Sequence, residues 1–203
     1  MSDGVGGPVV SASADVAETA ALGAGSRVWD LAQVRENAEI GRRCVLGRGA
    51  CVDAGVRIGD NVKIQNYALV YSPAVLADGV FVGPSAVLTN DTYPRAVGVD
   101  GAPLGPGNWV PVGVVVGEGA SLGARSVCVA PVVVGRWALV GAGAVVVDDV
   151  PDFGLVVGNP ARRIGWVGPA GVRLESAGSG RWLCPRTGAR FVEIDGILRE
   201  EGR

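Results

Sequence analysis

The sequence contains no histidine among its 203 residues, and this absence excludes two kinds of chemistry. A zinc site built on imidazole ligands cannot form, and no imidazole is available as a general base. Any reaction that this chain carries out must therefore proceed without histidine, which restricts the enzyme classes that remain open.

Lysine, aromatic residues and long apolar runs are also scarce. Lys63 is the only lysine, aromatic residues make up 5% of the chain, the net charge is −2, and the arginines are scattered along the sequence. This distribution argues against nucleic acid as a main partner. No apolar run approaches the roughly 18 residues that cross a bilayer, so we expect no membrane partner.

The cysteines and the N-terminal residues indicate the compartment. The four cysteines form no Cys-x-x-Cys pair, which favours free thiols in a reducing environment over a disulfide or metal framework. Residues 1–7 are polar and glycine-rich and lack the basic region of a secretory signal. We therefore expect a cytoplasmic protein that binds no metal.

The chain does contain an aliphatic residue, or once a cysteine, at every sixth position over two long stretches. A small or β-branched residue usually follows four positions later, as at Ala32, Ala50 and Val56. The sixth-position residues are Val10, Val16, Leu22, Val28, Val34, Ile40, Leu46, Val52, Ile58, Ile64, Val70, Leu76, Val82 and Leu88, and then Val116, Leu122, Cys128, Val134, Val140 and Val146. A strict period of six over this length is typical of hexapeptide β-helix repeats.

This period has a physical basis in short strands. Alternate side chains of a strand point to the same side, so positions one and five of each hexad can both fill the interior of a coil. Glycine recurs at position two, for example at Gly41, Gly83 and Gly123, where corners and neighbouring coils come close. An α-helix is excluded because six residues do not complete a whole number of its turns. A valine-rich sandwich would show unequal strands with turn signals about every 8 to 12 residues.

The repeats predict an all-β protein with four segments. These are a tail (1–9), a hexapeptide β-helix (10–150) with one looped-out segment (89–115), an exit segment (151–167) and a small C-terminal appendage (168–203). Three hexads per triangular coil would stack residues 18 apart on the same face. In the appendage the hexad period is lost, and Asp195 and Gly196 between two alternating stretches predict a hairpin.

Stacked coils also predict columns of outward side chains just before each sixth-position residue. Two such columns contain Gln33, Cys51, Leu69 and Val87 in one case and Val45, Lys63 and Phe81 in the other. Outward apolar groups on contiguous coils favour a self-association face. The alternative is that singly exposed apolar residues are ordinary on any protein surface.

The break between the two series predicts a functional loop. The spacing of 28 positions from Leu88 to Val116 is not a multiple of six, and the segment between them is rich in proline and glycine, so it must leave the coil. Long loops on a rigid scaffold often carry function. The polar and aromatic groups concentrated in this loop are Asn90, Asp91, Tyr93, Arg95 and Trp109.

Several motifs resemble those of a known family, the left-handed β-helix acyltransferases. Three segments resemble the superfamily as a whole: GAGAVV (141–146), DVPDFGLVVGNPAR (149–162) and IGW (164–166). Four other segments resemble one subgroup, the sugar-nucleotide N-acetyltransferases, which acetylate the 3-amino group of UDP- or dTDP-linked amino sugars. These segments are VWDLAQV (28–34), GDNVKIQN (59–66), VFVGPSAVLTND (80–91) and YPRA (93–96). The resemblance covers roughly residues 10–167. It implies a left-handed coil, against the usual right-handed crossover rule, and a homotrimer with the co-substrate acetyl-CoA in the groove between subunits.

The resemblance also implies roles for individual residues. Asn90 matches the polar residue beside the acceptor amine, and Arg95 is expected to bind the nucleotide or the sugar. Residues 141–142 match backbone that lines the pantetheine arm of CoA. Arg162 and Arg163 match the end of the coil where the CoA nucleotide lies, although a solvated exit turn would explain them equally well. The candidate residues are Asn90, Asp91 and Asp30 for catalysis; Arg95, Tyr93, Trp29, Gln65 and Tyr71 for substrate binding; and Gly123, Gly141, Ala142, Asn159, Pro160, Arg162 and Arg163 for acetyl-CoA.

Two features depart from the family pattern. Relatives commonly read W-H-x-x-H from the position of Trp29, so Asp30 and Gln33 occupy histidine positions here. Asp30 either accepts a proton or holds the amine, serves a different acceptor sugar, or is an ordinary corner residue. Some relatives end in a cysteine-rich zinc ribbon, whereas only Cys184 is found in this region, so we predict no structural zinc.

The chemistry that these features imply is direct acyl transfer. An unprotonated sugar amine would attack the thioester carbonyl, and the protein would mainly align the two substrates. Backbone N–H groups at a glycine-rich coil edge could hold the oxyanion. Asp91 or Asp30 could take the proton, whereas the amide of Asn90 can only orient the amine.

Other functions on the same fold are less consistent with the composition. O-acyltransferases of this fold deprotonate a hydroxyl with a histidine, and the carbonic-anhydrase-like members bind zinc through three histidines. A catalytically silent scaffold is the other alternative, but a scaffold requires neither the polar stretch 90–95 nor the exit turn. We therefore expect an N-acetyltransferase.

Overall fold

The strands of this protein wind into a three-sided coil that carries a separate small sheet at its end. The computed structural model describes residues 6–105 and 107–202, and every regular element in them is a β-strand. The first series of coil strands is β1 (Val9–Val10), β2 (Asp15–Val16), β3 (Ala21–Leu22), β4 (Arg27–Val28), β5 (Gln33–Val34), β6 (Glu39–Ile40), β7 (Val45–Leu46), β8 (Cys51–Val52), β9 (Arg57–Ile58), β10 (Lys63–Ile64), β11 (Leu69–Val70), β12 (Val75–Leu76), β13 (Phe81–Val82) and β14 (Val87–Leu88). The second series is β15 (Val114–Val116), β16 (Ser121–Leu122), β17 (Val127–Cys128), β18 (Val132–Val134), β19 (Leu139–Val140) and β20 (Val145–Val146). The exit strands are β21 (Gly154–Val157) and β22 (Arg162–Trp166), and the appendage strands are β23 (Glu175–Gly178), β24 (Arg181–Leu183), β25 (Arg190–Ile194) and β26 (Ile197–Glu200).

From β1 to β20, each coil strand pairs in parallel with the strand three places later in the chain, so the coil has three sheets. Sheet A has nine strands from β1 to β22, sheet B has seven from β2 to β20, and sheet C has six from β3 to β18. Val10 lies opposite Val28, and Gln33 lies opposite Cys51. The predicted stacking at intervals of 18 residues is therefore confirmed, as is the class of parallel β-helix built from hexapeptides.

The sixth-position residues and the residues four positions later fill the interior of the coil. Val28 is 2% exposed and Leu46 and Ala50 are fully buried. The first described coil is different, because it is covered by a neighbouring coil on one side only. Val10 there is 42% exposed, so the aliphatic pattern alone overestimates burial at this end.

Corner residues explain the recurring glycines, because successive coils approach closely there. A Cβ atom added to Gly83 would lie 2.6 Å from the backbone N of Ala124 on the next coil, a distance that real side chains do not tolerate. Carboxylates also join the coils at a corner. Asp60 accepts a hydrogen bond from the backbone N–H of Arg42 at 2.7 Å, and Asp78 accepts one from Asp60 at 2.7 Å.

The three corners can be named by the sheets that they join. Residues 29–32 and 141–144 turn from sheet A to sheet B, residues 71–74 turn from B to C, and residues 135–138 turn from C to A. The long loop leaves at the B/C corner, since it joins β14 of sheet B to β15 of sheet C. It covers residues 89–113 and is thus two residues shorter than the predicted 89–115.

The coil continues further than the predicted exit at residue 151. β21 pairs in parallel with β19, with Leu155 opposite Leu139, and β22 then returns antiparallel to β21. Pro151 precedes β21, in a turn where its missing N–H costs no hydrogen bond of the sheet. A proline in the sequence therefore marked a corner and not the end of the coil.

The appendage is a four-stranded antiparallel sheet that packs on the last coils. The predicted hairpin is confirmed: β25 and β26 pair on either side of Asp195 and Gly196, whose φ angles of 51° and 76° suit a tight hairpin turn. Phe191 packs edge-on against Phe153 at 5.5 Å between ring centroids, and Trp166 is fully buried beside them. This core fixes the appendage to the C-terminal end of the coil.

Candidate functional site

The loop at the B/C corner is tied at its neck and folds back on itself. The backbone O of Asn90 accepts a hydrogen bond from Val112 N at 3.1 Å and closes the neck. Further out, Leu104 N donates to Ala96 O at 3.0 Å. These bonds give the loop a defined shape although it lies outside the repeat.

The loop lines an open cavity of about 650 Å³, within the usual range for small-molecule sites. Its lining combines one carboxylate, one guanidinium and two aromatic rings with apolar side chains. The lining residues are Asp91, Thr92, Tyr93, Arg95, Val97, Gly98, Val99, Leu104, Asn108, Trp109 and Val110. This composition suits a ligand that has both polar and apolar parts.

Three of the candidate residues from the sequence meet in this cavity. Asp91 accepts a hydrogen bond from the backbone N–H of Tyr93 at 2.9 Å through Oδ1, which fixes its carboxylate at the wall. The Nη1 of Arg95 donates to Pro94 O at 2.8 Å, and a guanidinium has further donors that a ligand can use. Tyr93 is 84% exposed, so its ring is free to contact a bound molecule.

Asn90 and Tyr71 lie at the base of the loop and outside the cavity lining. Asn90 is half-buried at the neck, where its main chain is bound to Val112. The backbone N–H of Tyr71 donates to Leu88 O at 3.3 Å, which places Tyr71 one coil away from the start of the loop. Gln65 lies elsewhere, at the A/B corner that follows β10.

Asp30 and Trp29 lie at the A/B corner and line a second cavity of about 420 Å³ near the start of the coil. The Asp30 carboxylate accepts hydrogen bonds from the hydroxyls of Ser11 and Ser13. These bonds, that of Ser11 first, hold the pKa of Asp30 below its usual value. A carboxylate that has become a stronger acid is a weaker proton acceptor, so the geometry does not favour Asp30 as a general base.

Gly123, Gly141 and Ala142 lie at the A/B corner of the last coils. A Cβ atom on Gly123 would lie 2.6 Å from the carbonyl carbon of Gly141. Coil packing alone therefore requires glycine at position 123. Ala142 is exposed and Gly123 and Gly141 are half-buried, so an extended ligand can reach the backbone of this edge.

The exit turn positions its two arginines differently. Arg162 is exposed and pairs with Asp148 at 3.4 Å. Arg163 lies 4.0 Å above the ring of Trp166 and pairs with Glu193 of the appendage at 3.6 Å. Arg162 is thus available for a phosphate group, whereas Arg163 is already engaged in joining the exit strand to the appendage.

The remaining candidates, Asn159 and Pro160, form the exposed turn between β21 and β22. Ala161, the next residue, donates its N–H to Val145 O at 2.7 Å and holds this turn against the last coil. A small cavity of about 220 Å³ beside the turn is lined by both exit arginines and also by Asp148 and Asp149.

Family comparisons agree with the repeat structure. Bacterial transferase hexapeptide (six repeats) matches residues 55–90, and the hexapeptide repeat of succinyl-transferase matches residues 38–68 and 113–147. Family models thus recognise hexapeptide repeats over residues 38–90 and 113–147 of this chain. Its fold class is the left-handed parallel β-helix of this repeat, and it resembles the hexapeptide-repeat acyltransferases. No curated protein matches the sequence.

Solved structures that resemble this hexapeptide-repeat protein include sugar-modifying acyltransferases. PerB from Caulobacter crescentus, in complex with CoA and GDP-perosamine, is 26% identical over 79% of this chain and 58% of that chain, with a TM-score of 0.50. A mutant of perosamine N-acetyltransferase from the same organism, also with CoA and GDP-perosamine, is 27% identical over the same 79% and 58%, with a TM-score of 0.49. LpxA, a UDP-N-acetylglucosamine acyltransferase from Bacteroides fragilis, is 16% identical over 79% of this chain and 61% of that chain, with a TM-score of 0.64, and shows the fold alone. This chain therefore spans about three fifths of the length of these proteins.

The loop cavity includes Asn108 and apolar residues that were not candidates from the sequence, and also Trp109, which the sequence placed in the functional loop without a role. Asn108 accepts a hydrogen bond from Gly105 N at 2.9 Å through Oδ1, and Trp109 lies next to it in the cavity wall. Trp109 is a rare residue type within a loop rich in proline and glycine, and that was the available signal. Nothing in the spacing indicated that Val97, Val99 and Leu104 would line the same cavity.

Two features are absent from the described ranges of this chain. Within residues 6–105 and 107–202, no group of three or more cysteine, aspartate or glutamate side chains is placed to hold a metal ion. Over the same residues, no helix is long and apolar enough to span a membrane.

Proposed function

We propose that this hexapeptide-repeat protein is an acetyl-CoA-dependent N-acetyltransferase that acts on a nucleotide-linked amino sugar. The observation that carries the proposal is the likeness to PerB, which was solved with both CoA and an amino-sugar nucleotide. The loop cavity supports it, because its carboxylate, guanidinium and aromatic lining suits a polar sugar that is joined to an anionic nucleotide. We further propose that the nucleotide is UDP or dTDP and that the amine is at C3.

The reaction that fits a chain without histidine is direct attack by an amine. An amine is unprotonated in part near neutral pH and needs no imidazole to remove a proton before attack, unlike a hydroxyl. The nitrogen forms a bond to the thioester carbonyl carbon, the C–S bond of the thioester breaks, and CoA leaves as a thiolate that takes up the proton released by the nitrogen. Asp91 lines the loop cavity, which supports it as the carboxylate that takes the proton from the nitrogen and passes it to the sulfur of CoA.

Two copies of the chain are needed to bring the two substrates together. The loop cavity is at the B/C corner, whereas the proposed pantetheine edge at Gly141 and Ala142 is at the A/B corner. We therefore propose a homotrimer in which the loop of one subunit faces the A/B edge of the next. A self-association face is supported by the outward column of sheet B, which from Cys51 onward is apolar on successive coils.

Of the two exit arginines, Arg162 is the better candidate for a CoA phosphate. Its pairing with Asp148 is exposed to solvent and therefore weak. Arg163 would have to leave both Glu193 and the ring of Trp166 to reach a ligand. The roles of Asn159 and Pro160 would be to shape the turn that presents Arg162.

The proposal is tested by measuring release of CoA thiol from acetyl-CoA in the presence of a panel of amino-sugar nucleotides. The panel contains 3-amino and 4-amino sugars linked to UDP, dTDP and GDP. We expect turnover with a UDP- or dTDP-linked 3-amino sugar. Turnover with none of the panel would overturn the proposed function, and turnover with a 4-amino or a GDP-linked sugar alone would correct its specificity.

Asn90 is predicted to orient the acceptor amine from the neck of the loop. Asn90→Ala should lower kcat/KM by about tenfold, which corresponds to about 1.4 kcal/mol of transition-state stabilisation. The matched control is Asn61→Ala, at a corner of the coil far from the loop in sequence, where the side chain only accepts from Arg43 at 2.8 Å. Unchanged turnover in Asn90→Ala, with the fold intact, would remove Asn90 from the mechanism.

A further inference from the structure

A second cavity lies on the outer side of sheet A at the first described coils. It measures about 420 Å³ and is lined by Val9, Ser11, Arg27, Val28, Trp29 and Asp30. The indole of Trp29 is 47% exposed and thus offers a face to a ligand. This cavity shares no lining residue with the loop cavity, so it would hold a different ligand or a different part of one.

The carboxylate in this cavity is arranged to accept hydrogen bonds. The hydroxyls of Ser11 and Ser13 both donate to the Oδ1 atom of Asp30, the latter at 2.9 Å. Both bonds go to one oxygen, which leaves Oδ2 for a ligand. Because these bonds also lower the pKa of Asp30, the group is ionised near neutral pH and can only accept.

An exposed indole next to an ionised carboxylate is a combination that selects a planar ring bearing an N–H group. An aromatic side chain can stack on any nucleobase, because every base has a flat π face. A carboxylate adds discrimination, because it accepts from a ring N–H and repels a ring nitrogen that carries only a lone pair. Uracil, thymine and guanine have an imino N–H, whereas cytosine and adenine have a bare ring nitrogen at the matching position.

We propose that this cavity binds the nucleobase of a nucleoside diphosphate, with the base stacked on Trp29 and its imino N–H donated to Asp30. The inference rests on the proposed function and specifies where the nucleotide part of the sugar nucleotide would be held. Arg27 lines the same cavity and supplies a cation for the diphosphate. The base and the acceptor amine lie at opposite ends of a nucleotide-linked sugar, which is consistent with two separate cavities.

This assignment gives Asp30 a role in binding and not in proton transfer. If Asp30 instead held the amine of the sugar, an amino sugar without a nucleotide would bind in this cavity. If the cavity only attracted phosphate through Arg27, all nucleoside diphosphates would bind equally. Both possibilities are separate outcomes of the same binding measurement.

The test is calorimetric titration of the full chain with UDP, dTDP, GDP, CDP and ADP, and with glucosamine as the amine without a nucleotide. We expect UDP, dTDP or GDP to bind at least about tenfold more tightly than CDP and ADP, since a hydrogen bond to a charged group is at stake. Equal binding of all five nucleotides, binding of glucosamine alone, or no binding at millimolar ligand would each overturn the proposal. Because no acetyl-CoA is present, a failure here is distinguishable from a failure of the transferase assay.

Variants then assign the binding to these residues. Asp30→Asn should abolish most of the preference for bases with an imino N–H, because an amide can both donate and accept. Trp29→Ala should weaken the binding of all five nucleotides about tenfold, because the stacking surface is lost. The matched control is Asp15→Asn, which changes a nearby carboxylate that bonds Gln33 at 2.8 Å and lies outside the cavity. Retained base preference in Asp30→Asn would contradict the proposal. Thermal melting of each variant shows whether the coil is intact.

Discussion

Single residues decide which acid–base chemistry is open to this protein. The chain has no histidine, and a side chain with an ordinary pKa near 6.5 is therefore missing. Burial raises the pKa of the Cys128 thiol to about 12, and the hydroxyls of Ser11 and Ser13 lower that of Asp30. In the proposed reaction, the group that titrates near neutrality is therefore the amine of the sugar.

This leads to a prediction for the pH dependence of turnover. Only the unprotonated amine attacks the thioester, so log kcat/KM should rise with pH with a slope of about one and level off at the pKa of the substrate amine. The measurement is kcat/KM from about pH 6 to pH 10 with two acceptor sugars whose amines differ in pKa. The inflection should move with the substrate. An inflection that stays near pH 6.5 for both would show that a protein group controls the rate.

The glycines at hexad position two have a structural role that is open to direct measurement. A Cβ atom on Gly123 would meet the backbone of the next coil at Gly141 and Ala142, with 2.6 Å to the Gly141 carbonyl carbon. Gly55 has a positive φ of 68° but no heavy atom within 4 Å of the Cβ position. The two glycines therefore separate crowding from backbone strain.

Gly123→Ala should lower the free energy of unfolding by about 3 kcal/mol, because backbone atoms cannot move aside easily. Gly55→Ala should cost only about 1 kcal/mol, the strain of a left-handed conformation for alanine. Urea unfolding of both variants gives the comparison. If Gly55→Ala proves the more damaging, conformational strain and not coil-to-coil crowding governs these corners.

Among the structural elements, the coil strands are well predicted by the sequence, because the same spacing of buried side chains recurs in every hexad. Each hexad places an aliphatic residue at the same point, so the interior residues from Val28 to Val146 could be named from spacing alone. The exit was less predictable. A proline usually indicates the end of a strand pattern. The coil nevertheless continues with β21 after Pro151, because this proline lies in a turn.

The candidate site was predictable only where a residue type is unusual for its context. Asp91, Tyr93 and Arg95 were identified because the sixth-position residues of the repeat lack such side chains, and the three do meet in one cavity. The separation of Asp30 from that cavity follows from which corner each residue occupies and how many coils lie between them. Hexad spacing defines the corner and the coil of each residue, although Asp30 was grouped with Asp91 as a catalytic candidate. It does not define how the loop bends back, which depends on contacts such as Leu104 N to Ala96 O.

The appendage is joined to the exit strand by a network centred on Glu193. One carboxylate oxygen accepts from the indole N–H groups of Trp166 at 2.9 Å and Trp182 at 3.1 Å, and the other pairs with Arg163 at 3.6 Å. The Glu193 side chain is 23% exposed and Trp166 is fully buried. Three strands, β22, β24 and β25, are thus linked by one side chain.

Loss of this carboxylate should weaken the attachment of the appendage. Glu193→Ala leaves two indole N–H groups without their acceptor, and each such group costs about 1–3 kcal/mol when buried. We expect a melting temperature lower by about 4 °C or more and red-shifted tryptophan emission. The control is Glu175→Ala, an exposed glutamate on β23. Equal melting temperatures for the two variants would show that the network contributes nothing to stability.

At the scale of the whole molecule, the three outer faces of the coil differ in their side chains. From the third described coil onward, the outward column of sheet B reads Cys51, Leu69, Val87, Val127 and Val145 with no charged residue among them, and Asp15 and Gln33 precede it on the first two coils. Over the same coils the column of sheet A is interrupted by Lys63, and that of sheet C begins with Arg57. Sheet B is therefore the face best suited to contact other copies in the proposed trimer.

A charge placed in this column should separate the subunits. Leu69 lies between Cys51 and Val87 in the pairing of sheet B, so Leu69→Arg would bury a guanidinium without a partner in the trimer interface. We expect the wild-type chain to have the mass of a trimer in light scattering and the variant that of a monomer. The control is Val133→Arg on sheet C, where the valine is 45% exposed and the trimer should persist.

Cysteine labelling provides an independent readout of the same face. Cys44, Cys128 and Cys184 are buried within the subunit, whereas Cys51 is half-buried on the outside of sheet B. A thiol reagent should therefore modify Cys51 faster in Leu69→Arg than in the wild-type chain, where neighbouring subunits would cover it. If Val133→Arg dissociates the protein and Leu69→Arg does not, the interface lies on sheet C, and the loop would then have to meet a different edge of its neighbour than the A/B corner at Gly141.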